Sequence, residues 1–191
     1  MAAVVSSDAA IARWAAEHGI AVVAFDKALG ANLAALGPFD YLFSIANLRV
    51  LPNDVVKLAA RGAINFHDGP LPRYAGLYAT TWALMQRELK HGVAWHFIAD
   101  GIDTGDVLAR DYFDLDEGET AFTLNAKCYE AGISTFGTLV DDLTNGTLRR
   151  ETQDMRERTY FGAFQRPEAV CSIKWDRPAD DLAAFVRALD F

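Results

Sequence analysis

Along the first 66 residues, short and mostly apolar runs alternate with segments that favour helices. The apolar runs occupy residues 2–5, 20–25, 41–45 and 63–66. We predict helices between them at residues 9–18, 32–36 and 52–60. Ser6-Ser7-Asp8 offers an N-cap to the first helix, and Gly19 ends it. Apolar strands separated by helices are typical of a parallel sheet covered on both faces. The pattern therefore predicts an α/β fold with a doubly wound, mostly parallel sheet.

The pattern changes after residue 66. Residues 67–78 are rich in Gly and Pro, which predicts a long functional loop rather than regular structure. Further on, we predict a helix at residues 80–87, strands at 93–97 and 107–113 around an acidic turn, and helices at 120–143 and 179–189. The apolar stripe of the longest helix is expected to include Phe122, Leu124, Ile133 and Leu139, and Asn145-Gly146 should end this helix.

Length and composition place the chain among folded globular proteins. Its 191 residues are 51% hydrophobic and 23% charged, which excludes collagenous, coiled-coil and disordered classes. The length suits one ordinary domain plus a short appendage. Because the sequence turns polar from residue 149, we expect a domain over residues 1–148 and a linker with a short helical C-terminal appendage over 149–191.

Charge and cysteine content indicate which binding partners and which cellular compartment suit the chain. The formal net charge is −8, which disfavours nucleic acid because phosphate binding depends on Lys and Arg. Eight acids and one base lie between residues 100 and 119, so this stretch either attracts a cationic partner or is a solvated face. Cys128 and Cys171 are interpreted as free thiols in a reducing compartment. No membrane span or signal peptide is recognisable, and we expect a cytoplasmic protein.

Asn65 and His67 are the first residues that suggest chemistry. They stand two apart at the end of an apolar strand, so both side chains point to one face where the strand enters the loop. An imidazole and a carboxamide there can accept a proton and stabilise an oxyanion, or can simply cap loop backbone groups. Asp103, in a turn with flanking glycines, favours catalysis because its carboxylate can hold the imidazole.

Other kinds of site are poorly supported. The sequence has no nucleophile elbow, P-loop, dinucleotide fingerprint or zincin motif. His91 and His96 are five residues apart, which suits neither one helix face nor one strand face, so we predict no metal site. Cys128 lies within the long helix and is expected to be buried rather than nucleophilic.

Several motifs in order carry a resemblance to a known family. The run from Asn65 to Gly76 reads NFHDGPLPRYAG, and a second motif, DTGDV, begins at Asp103. Together with Trp82-Ala83-Leu84 and Gly92-Val93, they resemble the folate-dependent formyltransferases, which use 10-formyltetrahydrofolate as formyl donor. The resemblance implies a Rossmann-like formyltransferase fold whose catalytic domain covers residues 1–148.

The resemblance also implies roles for individual residues. Asn65, His67 and Asp103 match the catalytic Asn, His and Asp of the family. Two further segments match those that hold the pterin through main-chain groups and apolar contacts, namely Leu48, Arg49, Val50 and Leu51, and the turn of Asp100, Gly101 and Ile102.

Departures from the family pattern bear on the acceptor. Where the usual loop reads HPSLLPRYRG, this chain has Asp68-Gly69-Pro70, and Ala75 replaces an Arg, which removes a hydroxyl and a cation from the expected mouth of the site. The chain looks most like the formylation domains of nonribosomal peptide synthetases, which implies an aminoacyl group on a carrier protein as acceptor. The alternatives are a sugar amine, methionyl-tRNA, hydrolysis of the formyl donor, or a non-catalytic docking domain.

The resemblance implies an unusual N-terminus. Family members begin with a strand, a Gly-containing turn and a helix ahead of the segment that matches residues 2–5, whereas here Met1 precedes that segment. We therefore expect the first β-α unit to be lacking and a strand position in the sheet to be open. A shift of residues 2–5, a second copy of the chain, or the rest of a longer synthetase would fill it, and we favour the last two.

Overall fold

The computed structural model describes residues 1–167 and 172–191. They form two compact units, Met1–Ile64 and Asn65–Phe191. Both contain strands and helices, which confirms the predicted α/β class. Cys128 is a free thiol, whereas the prediction for Cys171 lies outside the described residues. No helix within the described residues is long and apolar enough to cross a membrane.

The first unit is built around a small apolar core. Its elements are β1 (Ala3–Val5), α1 (Ala9–Glu17), β2 (Ala21–Val23), α2 (Leu29–Ala35), β3 (Phe39–Ser44), α3 (Asn53–Val56) and the beginning of β4 (Ala59–His67). β1 and β2 form a two-stranded parallel sheet, and β3 lies beside β4. The core side chains are Val23, Leu29, Leu33 and Val55.

Helix boundaries in this unit follow capping and burial. As predicted, Asp8 is the N-cap of α1, and its carboxylate accepts from the backbone N–H groups of Ala10 and Ile11. The helix predicted at residues 32–36 begins earlier, because Leu29 and Leu33 are one turn apart and both face the core.

The helix predicted at residues 52–60 is wrong over its second half. Only Asn53–Val56 is helical, and the strand β4 begins at Ala59, four residues before the predicted start. Helix propensity favoured a longer helix, but pairing with β3 determines the conformation here. The longer strand carries the chain to His67 in an extended conformation.

The second unit contains the end of β4 and the elements that follow it. These are β5 (Ala75–Gly76), α4 (Ala79–Met85), β6 (Lys90–Phe97), β7 (Val107–Asp114), α5 (Ala121–Asn145), β8 (Tyr160–Phe161) and α6 (Ala179–Ala188). β6 and β7 are antiparallel, with Ala94 opposite Arg110, which confirms the predicted pair of strands around the acidic turn. The register is irregular between Trp95 and His96, where β6 approaches the site.

The longest helix, α5, has the predicted ends but a different buried face. Thr120 caps it in a reciprocal pair with Thr123, and Gly146 ends it in the left-handed conformation. Phe122 and Ile133, expected in the apolar stripe, are 65% and 76% exposed. The buried face contains Leu124 and Leu139, which belong to the predicted stripe, and also Cys128, Ala131, Gly132 and Leu143. Small residues on this face permit close packing that a count of large apolar residues overlooks.

The Gly/Pro-rich loop is held by residues that come much later in the chain. β5 pairs in parallel with β8, so two residues of the loop are extended, contrary to the prediction. The hydroxyl of Thr159 accepts from the Tyr74 N–H at 2.8 Å, and its carbonyl accepts from the Ala75 N–H at 3.0 Å. Residues beyond 148 therefore support the loop structurally. The boundary expected after residue 148 stays a prediction.

Candidate active site

His67 is held at the end of β4 by one of its two ring nitrogens. Its Nε2 lies 2.7 Å from the carbonyl oxygen of Tyr74. Because a carbonyl oxygen only accepts, Nε2 carries the hydrogen, and in the neutral ring Nδ1 is the nitrogen with a free lone pair. The imidazole is 5% exposed, so its orientation is fixed by the protein rather than by solvent.

Tyr74 is a rigid support for this hydrogen bond. Its side chain is buried, and its hydroxyl donates to the Glu88 carboxylate at 2.6 Å and also lies 2.6 Å from the side-chain amide of Gln86. Burial and the neighbouring Glu88 raise the pKa of Tyr74, so the hydroxyl stays a donor. Arg73 pairs with the same Glu88 carboxylate. Gly69 also permits the arrangement, because a Cβ there would stand 2.8 Å from His67 Nε2.

Asp103 lies between two histidines. Its Oδ2 is 3.7 Å from His67 Nδ1 and accepts from the Gly76 N–H at 2.8 Å, while its Oδ1 is 3.4 Å from His96 Nε2. Burial alone would raise its pKa, but the hydrogen bond with His96, the charge of His67 and the Gly76 N–H lower the pKa to about 2. Asp103 is thus an anion that can stabilise a protonated His67.

His96 joins Asn65 to Asp103 and is the residue that the sequence analysis missed. Its Nδ1 lies 2.9 Å from the Phe97 carbonyl, which only accepts, so Nδ1 is a donor. In the neutral ring Nε2 accepts from Asn65 Nδ2 at 3.2 Å and thereby orients that carboxamide, and in the protonated ring Nε2 donates to Asp103. The sequence signal was its position on a strand before the acidic turn, but we considered His96 only as a metal ligand.

The turn that carries Asp103 is fixed from the C-terminal side. Asp103 has a left-handed backbone, with φ at +51°. The amide nitrogen of Gln153 donates to the carbonyls of Asp103 and Gly105 at 3.0 and 2.7 Å, and Arg158 donates to the Ile102 carbonyl at 2.7 Å. These contacts offset the strain of a non-glycine residue in this conformation.

The residues expected to hold the pterin are divided between the two units. Leu48 and Val50, in the first unit, are 85% and 76% exposed, and the Arg49 guanidinium stacks on the Phe25 ring at 4.9 Å. In the second unit, Asp100 and Gly101 are exposed, as is Ile102. These exposed groups are available to a ligand, and their role, with that of Leu51, stays a prediction.

Two other positions, Ala75 and Cys128, differ in how well they match their expected roles. Ala75 is fully buried against Leu71, Ala94 and Val107, so its side chain does not face the mouth of a site, contrary to our expectation. Burial raises the pKa of Cys128, which fits an unreactive thiol. Among the described residues, no group of three or more His, Cys, Asp or Glu side chains could hold a metal ion.

The arrangement can perform acid–base chemistry without a covalent intermediate. Asn65, His67 and Asp103 come together in the second unit, and His96 links two of them. His67 Nδ1 can take a proton, and the Asn65 amide can donate to a developing oxyanion.

Comparison with known proteins gives consistent results. A family model described as formyl transferase matches residues 7–140. A methionyl-tRNA formyltransferase from Desulfotalea psychrophila is 35% identical over 158 residues, covering 83% of this chain and 48% of that protein. The chain spans about half the length of the curated relatives it matches.

Solved structures show the same fold. An N-formyltransferase from Helicobacter canadensis, in complex with folinic acid and dTDP-3-aminofucose, has a TM-score of 0.76 at 21% identity, covering 94% of this chain and 63% of that one. The sugar 3N-formyltransferase WlaRD, in the presence of dTDP and 5-N-formyl-THF, has a TM-score of 0.77 at 21% identity, covering 98% and 68%. At such identities the likeness concerns the fold.

Proposed function

Because the chain belongs to the formyl transferase family, we propose that it transfers a formyl group from 10-formyltetrahydrofolate to a primary amine. The observation that supports the proposal is which ring nitrogen of His67 is engaged and which is free. Its Nε2 is engaged by the Tyr74 carbonyl, which leaves Nδ1 free beside the Asp103 carboxylate. A base supported by a carboxylate and accompanied by an amide donor suits attack by an amine on a formyl carbon.

In the proposed reaction, His67 Nδ1 accepts the proton that the amine nitrogen loses as it bonds to the formyl carbon. Asn65 Nδ2 and the protonated His67 stabilise the resulting oxyanion, and Asp103 stabilises the imidazolium and helps to relay the proton. The intermediate then collapses, and the bond between the formyl carbon and the folate nitrogen breaks. The relayed proton goes to that nitrogen, so the products are a formamide and tetrahydrofolate.

The donor is proposed from the family and from the predicted pterin segments. The solved relatives described above were crystallised with folinic acid or 5-N-formyl-THF. In this chain, residues 48–50 and 100–102 are exposed and Leu51 is partly exposed, so these two segments are accessible to a pterin.

For the acceptor, we propose an aminoacyl group on a peptide-synthetase carrier protein. The His-Asp-Gly-Pro loop favours this acceptor, whereas the relatives named as methionyl-tRNA and sugar formyltransferases keep those two acceptors as alternatives. We further propose that the chain acts in the cytoplasm, where Cys128 stays a reduced thiol, and as a dimer or as part of a larger synthetase.

The proposal can be tested by supplying 10-formyltetrahydrofolate with each acceptor and identifying products by mass spectrometry. The acceptors are aminoacyl-loaded carrier proteins, amino sugar nucleotides and methionyl-tRNA. A formylated aminoacyl carrier supports the proposal in full, and another formylated amine corrects the acceptor. Formate without any formyl-amine indicates a hydrolase. Failure to bind any folate indicates a docking domain.

A further inference from the structure

We propose, on the basis of the function above, that Asp68 selects the acceptor. Its carboxylate receives the ammonium form of an amine that has no anionic group next to its nitrogen. Asp68 directly follows His67, and its Oδ1 lies 3.9 Å from His67 Nδ1, the nitrogen with the free lone pair. An amine bound by Asp68 is therefore close to the base that takes its proton.

Asp68 and Asp103 differ in how far their side chains are exposed to solvent. The Asp68 side chain is 37% exposed, whereas those of Asp103 and His67 are 11% and 5% exposed. Asp103 uses both carboxylate oxygens inside the protein, toward Gly76 and His96. Within the described part of the chain, no hydrogen bond engages the Asp68 carboxylate. Asp68 thus has free acceptor capacity on a carboxylate that solvent can reach.

The backbone of Asp68 is fixed although no described hydrogen bond holds its side chain. The buried His91 donates from Nε2 to the Asp68 carbonyl at 2.9 Å, and the thiol of Cys128 lies 3.9 Å from the same oxygen. These contacts come from β6 and α5, two different elements of the second unit. The carboxylate is therefore presented from a rigid backbone, which limits the entropy lost on binding.

The local charge determines which amines suit this position. Asp68 and Asp103 place two carboxylates beside one imidazole. The basic residue in the same loop, Arg73, pairs with Glu88 and leaves this charge uncompensated. A free amino acid brings its own carboxylate, which both aspartates repel, whereas an aminoacyl ester or thioester brings only the ammonium group.

The proton balance is consistent with this role. The ammonium group binds at Asp68 and then releases one proton to solvent. Solvent has access there because the Asp68 carboxylate is partly exposed. The neutral amine then attacks the formyl carbon as described above. Asp68 takes no part in bond formation, so its removal should weaken acceptor binding more than donor binding.

The test uses valine methyl ester and free valine as probes, measured by calorimetry on the full chain with tetrahydrofolate present. Asp68→Asn keeps the shape of the side chain and removes its charge. We expect it to weaken ester binding about tenfold, to leave tetrahydrofolate binding unchanged, and to reduce the preference for ester over free valine. Glu117→Gln, which removes an exposed charge between β7 and α5, should change none of these values.

Each outcome decides the proposal. Equal binding of the ester to the parent and to Asp68→Asn overturns it, as does a parent that binds no ester. Asp68→Ala gives an independent check, because it should weaken ester binding at least as much as the Asn variant. Ester binding that depends on Asp68, without formation of formyl-valine ester from the formyl donor, supports ammonium recognition while counting against the proposed reaction.

Discussion

The ring nitrogens of His67 are distinguished by their surroundings. The Tyr74 carbonyl engages Nε2, and Asp103 stands beside Nδ1, so the tautomer is fixed before any substrate arrives. Few side chains determine this state, and the consequences of removing them can be measured one residue at a time.

Replacing Asn65, His67 or Asp103 by Ala should reduce formyl transfer about 100-fold or more, the usual effect of losing an oxyanion donor or a general base. Steady-state kinetics, with whichever of the three acceptors tested above reacts fastest, would measure this reduction. Near-parental turnover in all three variants would show that the catalytic assignment is wrong.

His96→Phe should reduce kcat about tenfold while leaving the KM for the formyl donor nearly unchanged, because it removes an orienting partner rather than a reacting group. An aromatic ring is retained, but Asn65 Nδ2 and Asp103 Oδ1 lose their contacts with Nε2. The variant should also raise the pKa of Asp103. An unchanged kcat together with an unchanged pKa would contradict the positioning role.

The low pKa of Asp103 makes its contribution to stability depend on pH. The carboxyl titrates at about 2 in the folded chain, against an ordinary value of 3.8. The charged form therefore stabilises the fold above the ordinary value, and this stabilisation is lost as the pH falls toward 2. In urea unfolding, the parent should exceed Asp103→Asn by about 2 kcal/mol near pH 5 and by about half of that near pH 3. A difference that stays constant between these pH values would argue against the assigned pKa.

At the scale of elements, the site depends on how closely α5 approaches β4. A Cβ at Gly132 would lie 2.6 Å from the Phe66 ring, which packs against Trp95 and directly precedes His67. At Gly137, five residues later in the same helix, nothing lies within 4 Å. These two glycines form a matched pair.

Gly132→Ala should destabilise the chain by about 1–3 kcal/mol through overpacking, whereas Gly137→Ala should stabilise it by about 0.5–1 kcal/mol by increasing helix propensity. Urea unfolding of both variants gives the comparison. If Gly132→Ala matches or exceeds the stability of the parent, the close contact with Phe66 does not exist as described.

Elements with strong local signals could be predicted from the sequence, and elements that depend on distant partners could not. α1 and α5 have their caps in the adjacent sequence, at Asp8 and Thr120. β5 and β8 are two residues each and exist only because they pair with each other, Ala75 with Tyr160 and Gly76 with Phe161, although they lie far apart in the sequence. The start of β4 likewise depends on β3, not on its own propensity.

The same distinction applies to the site. Asn65 and His67 could be paired from their spacing on one strand, and Asp103 from the glycines around it. His96 and Gln153 carry no local signal, because their roles appear only when β6 and the C-terminal segment pack against the acidic turn. A sequence motif identifies reacting groups more readily than the groups that orient them.

At the scale of the whole molecule, the net charge of −8 limits the acceptor. Binding to tRNA depends on Lys and Arg that displace counterions from phosphates. We expect no salt-dependent binding of tRNA near physiological ionic strength, measured by the anisotropy of labelled methionyl-tRNA. Micromolar affinity that falls steeply with added salt would restore methionyl-tRNA as the acceptor.

The most direct test of the account is to follow the formyl group itself. The full chain is mixed with 10-formyltetrahydrofolate labelled in the formyl carbon and with an aminoacyl carrier protein, and the label is located by mass spectrometry. We predict that the label appears on the aminoacyl nitrogen, that tetrahydrofolate forms in equal amount, and that His67→Ala slows both about 100-fold or more. Label released only as formate, or transfer that persists unchanged in His67→Ala, would contradict the account.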